Sequence, residues 1–355
     1  MSDLRISVSA LHSFCCDALQ AADVSPEDAR LVADSLTQAD ARGLSSHGVV
    51  RLLPVYTRRL RAGTTRARPR ICIERQRGAV TVVDGDAGMG QVTGAFAMRT
   101  AINLAREMGA GVVGVRNSSH FGYGAMFVEQ AVADNMIGVA LTNAPSNMPP
   151  WGGRTPYFGT NPIAVGIPCG QERPVILDMS TSVVARGKIV MAQKKGEPIP
   201  PGWAIDVDGQ PTTDAAAALA GAVLPFGGYK GSGLALLVDV LSGVLTGAAF
   251  GLHIINLYDE GKRTQNLGHF FVTLDPRSFL PAGDFESRMD QFVREVRCQP
   301  RMPGADRIYL PGEIEFEQAE ESARSGVVLP DTGVAELDQL AIELGIRPLQ
   351  AHASV

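Results

Sequence analysis

The chain has 355 residues, 45% of them hydrophobic, which at roughly 150 residues per domain points to two domains with ample core material and excludes a short disordered or disulfide-stapled module. Its 32 lysines and arginines face 37 acidic residues, a formal charge of −5, so nucleic acid is not an expected partner. Five cysteines (Cys15, Cys16, Cys72, Cys169, Cys298) form an odd set with no C-x-x-C spacing. That argues against a disulfide framework and a thiolate zinc site, and a reducing cytoplasm fits best. No His, Cys or carboxylate cluster has ligand spacing, so no metal is expected. The segment Met1-Ser2-Asp3-Leu4-Arg5 lacks the basic-then-apolar pattern of a leader.

From Val8 to Leu60 apolar residues recur at helical spacing (Leu11, Phe14, Cys15, Ala18, Leu19). A second helix opens at Ser25-Pro26-Glu27-Asp28, where Ser25 can cap the free amides and Pro26 suits the first helical position. It runs to about Arg42, Gly43 stops it, and a third helix covers Val49 to Leu60. Short apolar runs then predict strands at Ala79 to Val83, Gly111 to Val115, Ile137 to Thr142, Pro162 to Ile167 and Val175 to Leu177. Helical stretches at Gly94 to Met108 and Tyr123 to Asn135 separate the first three, giving a βαβαβ order. The Gly, Pro, Asp and Ala-rich stretch Gly196 to Gly228 reads as mostly loop over a cleft. A helix at Ser232 to Gly247, a strand at His269 to Leu274 and helices at Phe285 to Arg297 and Asp331 to Gly345 follow. Asp239 interrupts the apolar stretch Gly231 to Tyr258, which therefore reads as a packed helix rather than a membrane span.

Gly88, Gly90 and Gly94 follow a strand and precede a helix, but their spacing is one residue too long for the Rossmann fingerprint, so a turn feeding a helix is the favoured reading. Two of the six histidines lie among small polar residues: Ser45-Ser46-His47-Gly48 between helices, and Asn117-Ser118-Ser119-His120-Phe121-Gly122 after a strand. Either can act as general acid or base, since imidazole titrates near neutrality. If the third helix begins near His47, then His47 and Arg51 are i and i+4 on one face, placed to serve the carbonyl and carboxylate of a 2-oxo acid. Gly159 to Pro162, Asp178 to Ser182 and Phe226 to Gly233 put glycines and hydroxyls at strand ends or helix starts, where backbone amides can approach a phosphate and Lys230 adds positive charge.

Together with Arg42-Gly43, Val83-Asp84-Gly85 and Leu310-Pro311-Gly312-Glu313, these segments span nearly the whole chain and resemble the type 2 malate/L-lactate dehydrogenase family. That family includes sulfolactate, ureidoglycolate and diketogulonate enzymes and the cyclic-imine reductases acting on piperideine-2-carboxylate. The resemblance implies an α/β, non-Rossmann, mixed-sheet domain over residues 76–299 and a helical domain from the chain ends, 1–75 with 300–355. It implies a homodimeric oxidoreductase using NAD or NADP on a small 2-hydroxy or 2-oxo acid. It assigns His47 as proton donor, Ser46 and Asp178 as its relay, and Arg51 as carboxylate clamp. His120 matches the base of some members, so the choice between the two histidines stays open. Cofactor contacts carry over to His120, Phe121, Gly122, Asp178, Met179, Ser180, Thr181, Tyr229, Lys230 and Gly231, and less strongly to Gly312 and Glu313. Ser45 and Ser119 stand where the imine reductases carry additional histidines, which favours the hydroxy-acid members. A cyclic-imine reductase and a catalytically silent nucleotide-binding protein are the alternatives.

Overall fold

The computed structural model describes residues 4–259 and 263–353, so Met1 to Asp3 of the N-terminal segment lie outside it. The helix Pro26–Ala41 begins as its sequence predicts, with Ser25 Oγ accepting the Asp28 N–H at 3.1 Å and Pro26 in the first turn. With Val8–Ala21 and Val49–Arg61 it buries Leu11, Phe14, Leu36, Leu52 and Leu53 in one apolar cluster. Each such side chain contributes about 1.5–3 kcal/mol by leaving water. Leu337 and Leu340 of the helix Asp331–Leu344 join the same cluster, and Leu4–Ile6 pairs antiparallel with Val327–Leu329.

The middle of the chain forms a seven-stranded mixed sheet in the order Cys72–Arg77, Val80–Asp84, Ala110–Ser118, Leu267–Leu274, Ile137–Thr142, Ile163–Ile167, Val175–Met179. Only Val80–Asp84 and Ala110–Ser118 are parallel neighbours, joined by the helix Gly90–Met108. The βαβαβ order along the chain is as expected, but its second and third strands are not neighbours in the sheet. Leu267–Leu274 inserts antiparallel between Ala110–Ser118 and Ile137–Thr142, burying His269, Phe271 and Thr273 from a segment distant in sequence. Phe271 meets Phe127 edge-on at 5.5 Å, which anchors that insertion in the core. The edge strand Cys72–Arg77 was not expected because all its residues are exposed and its pattern is polar.

Residues 196–228 are mostly loop, as expected, but the loop is punctuated by short elements. These are a three-stranded sheet, Ala222–Val223, Ala204–Ile205 and Pro211–Thr212, and the helix Ala215–Ala220, whose N-terminal amides Asp214 caps. Ile199, Ala204, Ala218 and Val223 pack there with Met148 and Ile189 in a separate small core. Strands of two residues are too short to show alternation in a sequence. The helix Tyr229–Asp239 continues as a π turn over Val240–Val244, and Asp239 is buried, accepting from Asn143 Nδ2 and Gly251 N–H at 3.1 Å each. Among the described residues no helix is long and apolar enough to cross a membrane.

Candidate active site

Ser45–His47 forms a single 3-10 turn, and Gly48, with extended backbone, separates it from the helix Val49–Arg61. His47 and Arg51 therefore do not share one helix as expected, because the glycine breaks the register between them. Asp40 holds the turn: it is buried, and its Oδ2 accepts the Val49 N–H at 2.7 Å, capping the helix start. Burial pushes the Asp40 carboxyl up to about 7, against the lowering effect of the Val49 amide. Only glycine fits at 48, since a Cβ there would stand 1.8 Å from Asp40 Oδ1.

The turn presents His47 with Nδ1 2.9 Å from Ser46 Oγ. Burial first, and the Arg51 charge second, hold this imidazole down at about 4, so it is neutral near pH 7. His120 arrives from the end of the strand Ala110–Ser118 and stacks on His47, ring centroids 5.8 Å apart and planes 11° from parallel. Its Nδ1 lies 2.7 Å from Tyr56 Oη. Burial, followed by His47, His269 and Arg51, lowers His120 to about 3. Gly90 permits the approach, because a Cβ there would be 2.2 Å from Ser119 O. Gly94 likewise lies against the Phe127 ring, so both glycines serve packing, in keeping with the poor Rossmann spacing.

Asp178 does not accompany His47. Its Oδ2 accepts the Ala125 N–H at 2.8 Å, and burial raises its carboxyl to about 6 against the Ala125 and Gly124 amides and Arg42, which lower it. The antiparallel register of Val175–Met179 against Ile163–Ile167 turns this side chain toward the start of the helix Ala125–Ala133. There Asp178 and Gly312 share a cavity of about 380 Å³ with Arg42, Leu44, Ile176 and Phe316. The cavity adjoins the histidines in sequence, since Leu44 precedes the His47 turn and the wall residue Ala125 follows His120 by five residues.

The remaining expected cofactor residues are dispersed. The Phe121 ring is buried between Phe127 and His269, at 4.9 and 5.0 Å, so only its backbone remains for a ligand. Gly122, with φ of +81°, is part of the His120 turn. Met179 ends its strand, Ser180 Oγ pairs with Ser182 Oγ at 2.9 Å, and the Thr181 N–H donates to Thr160 O at 2.9 Å. Tyr229 and Lys230 are exposed at the start of their helix, with Tyr229 against Trp151, while Gly231 is buried under Phe226 O. Glu313 turns away from the cavity and locks its own turn through Arg297 and the Leu310 N–H.

Several residues of this region were not singled out in the sequence. Tyr56 and Gln91 lie on helices whose apolar periodicity conceals them, and Tyr258 stacks over the Arg51 guanidinium at 5.5 Å. Arg186 starts the helix Arg186–Lys195; burial lowers its pKa first and Arg51 next, and Gly187 beside it lies against Arg51 and Ser46. Among the described residues neither Arg51 nor Arg186 has a carboxylate partner, which leaves two cationic groups for an anionic ligand.

The sequence model of the family described as Malate/L-lactate dehydrogenase matches residues 6–338. A malate dehydrogenase of Pyrococcus abyssi is 37% identical over 98% of this chain and 97% of its own. A (2R)-3-sulfolactate dehydrogenase (NADP(+)) of Chromohalobacter salexigens is 36% identical over 95% of this chain and 98% of its own. The solved structure of sulfolactate dehydrogenase from Methanocaldococcus jannaschii superposes with a TM-score of 0.92 at 36% identity, covering 98% of this chain and 99% of that one. Matched in sequence and fold over nearly its whole length, the chain belongs to the malate/L-lactate dehydrogenase family.

Proposed function

We propose that this oxidoreductase interconverts a small 2-hydroxy acid and its 2-oxo acid using NAD or NADP, in a non-Rossmann mixed-sheet domain flanked by a helical domain built from the chain ends. The observation that carries the reading is His47, half-buried and neutral, stacked on His120 beside Arg51, which has no carboxylate partner among the described residues. A dinucleotide suits the cavity of Asp178 and Gly312, where Leu44, Ile176 and Phe316 offer apolar walls for a base and the Asp178 carboxylate offers an acceptor for ribose hydroxyls. Gly312, with φ of +92° and a Cβ position only 3.0 Å from Ile176 Cβ and O, lets backbone come close there. The nicotinamide, when bound, gives or takes the hydride.

The chain's own residues then have separate tasks. Arg51 binds the carboxylate next to the reacting carbon, bidentate through its planar fork. With Nδ1 engaged by Ser46, His47 keeps Nε2 for the substrate oxygen, taking its proton in oxidation and returning it in reduction. A second acidic group on the substrate suits Arg186, which favours malate-like or sulfolactate-like acids over lactate. Arg51→Lys keeps the charge and loses the fork, so KM for the acid should rise at least tenfold with kcat changed less. An unchanged KM would remove Arg51 from substrate binding.

A homodimer in the cytoplasm completes the proposal. Leu237, Val240 and Val244 are 48%, 41% and 54% exposed and recur at helical spacing on one face, an apolar stripe that a second copy would cover. All five cysteines are unbridged, which suits a reducing compartment. Leu237→Glu combined with Val244→Glu should convert a dimer to monomer in sedimentation velocity; a variant sedimenting as the wild type does would reject this stripe as the interface.

A further inference from the structure

We infer that Tyr56 is a positioning residue that fixes His120 as its Nε2–H tautomer, making His120 a hydrogen-bond donor to the substrate oxygen and leaving the proton exchange to His47. This rests on the reading of the two histidines as the reaction site, and its substance is which nitrogen of His120 carries the proton. A neutral imidazole has one donor and one acceptor nitrogen. His120 Nδ1 faces two donors: Tyr56 Oη at 2.7 Å and the Gly122 N–H at 3.3 Å. Gln91 Nε2 donates to Tyr56 Oη at 2.9 Å and occupies its acceptor side, so the single phenol hydrogen goes to Nδ1. The assignment does not hinge on how the Gln91 amide is turned, because the backbone amide of Gly122 can only donate. Its positive φ aims that amide at the ring, and a Cβ there would meet Ser35 Oγ at 2.8 Å.

With Nδ1 accepting, the proton resides on Nε2, which has no hydrogen-bond partner among the described residues and is free to donate to a ligand. The ionisable groups facing the ring are His47, His269, Arg51 and Tyr56. Burial and the first three disfavour the imidazolium, while burial also keeps the Tyr56 phenol protonated, so the neutral tautomer persists across the working pH range. In oxidation the hydroxyl proton passes to His47 Nε2, and a bound oxidised nicotinamide would accept the C2 hydrogen as hydride. His120 holds the same oxygen through Nε2–H and exchanges nothing, acting as a preorganised donor.

The test is the tautomer itself in wild-type enzyme with 15N-labelled histidine, the His120 signals being those absent from His120→Asn. Long-range 15N–1H correlation at pH 7 should show a protonated Nε2 and an unprotonated Nδ1 at His120. A protonated Nδ1 would overturn the inference, whatever the enzyme's substrate, so this outcome is separate from failure of the oxidoreductase reading. Tyr56→Phe should move the Nδ1 resonance toward that of a non-bonded nitrogen and lower kcat about tenfold, the worth of one hydrogen bond. An unmoved resonance with wild-type kcat would equally count against the role of Tyr56.

Discussion

Replacing His47 with asparagine is expected to lower kcat by about 10²- to 10⁴-fold, the usual loss when a positioned proton donor is removed, while dinucleotide binding measured by fluorescence titration survives. The imidazole is the group on the 3-10 turn that faces both Arg51 and His120, and its depressed pKa sets the pH behaviour. A pKa of about 4 means that free enzyme carries His47 as a base at neutral pH. Accordingly, kcat/KM for alcohol oxidation should stay flat down to about pH 5 and fall as the ring protonates, whereas kcat/KM for oxo-acid reduction should rise with acid from neutral pH and level off once the ring is protonated, below about pH 4. A bound carboxylate offsets the Arg51 charge, so the acidic limb of kcat should lie above that of kcat/KM. Near-wild-type activity of His47→Asn, with His120→Asn inactive, would reverse the roles.

Gly48→Ala should be the most damaging single methyl group near the site. Its Cβ would stand 1.8 Å from Asp40 Oδ1 and 2.3 Å from Cγ, far inside contact distance. If the carboxyl yields, the Val49 amide loses its cap, worth about 0.5–2 kcal/mol, and a buried acceptor is left without a donor, at about 1–3 kcal/mol more. If the backbone yields instead, His47 moves with the turn. Both routes predict a stability loss of about 1.5–5 kcal/mol in denaturant unfolding and a kcat at least tenfold lower under folding conditions. Removing the obstacle in Gly48→Ala/Asp40→Ala should recover little stability, because the cap is absent there too. Wild-type stability and kcat in Gly48→Ala would show that the turn is not held by Asp40.

Much of this was legible in residues with local consequences. Ser25-Pro26 announced a capped helix because capping is decided within four residues, and His47 and His120 stood out as the two of six histidines set among small polar residues, where an imidazole titrating near neutrality can serve as acid or base. What could not be read were relations between distant segments. The insertion of Leu267–Leu274 into the sheet depends on burial of Phe271 against Phe127, which no local period encodes. Asp178 was expected beside His47, yet its strand register delivers it to Ala125, and the carboxylate that supports the histidine turn is Asp40, inside an ordinary amphipathic helix. Tyr56 was hidden in the same way, as one more buried position on the helix Val49–Arg61.

The most direct test of the oxidoreductase account is a panel of 2-oxo acids, including oxaloacetate, sulfopyruvate and pyruvate, beside piperideine-2-carboxylate, each assayed with NADH and NADPH. Open-chain 2-oxo acids should be reduced with the higher kcat/KM, the doubly charged ones best, since Arg51 serves any carboxylate and discrimination falls to the groups around the reacting atom. A kcat/KM favouring the cyclic imine by more than about tenfold, roughly 1.4 kcal/mol in transition-state binding, would contradict the account.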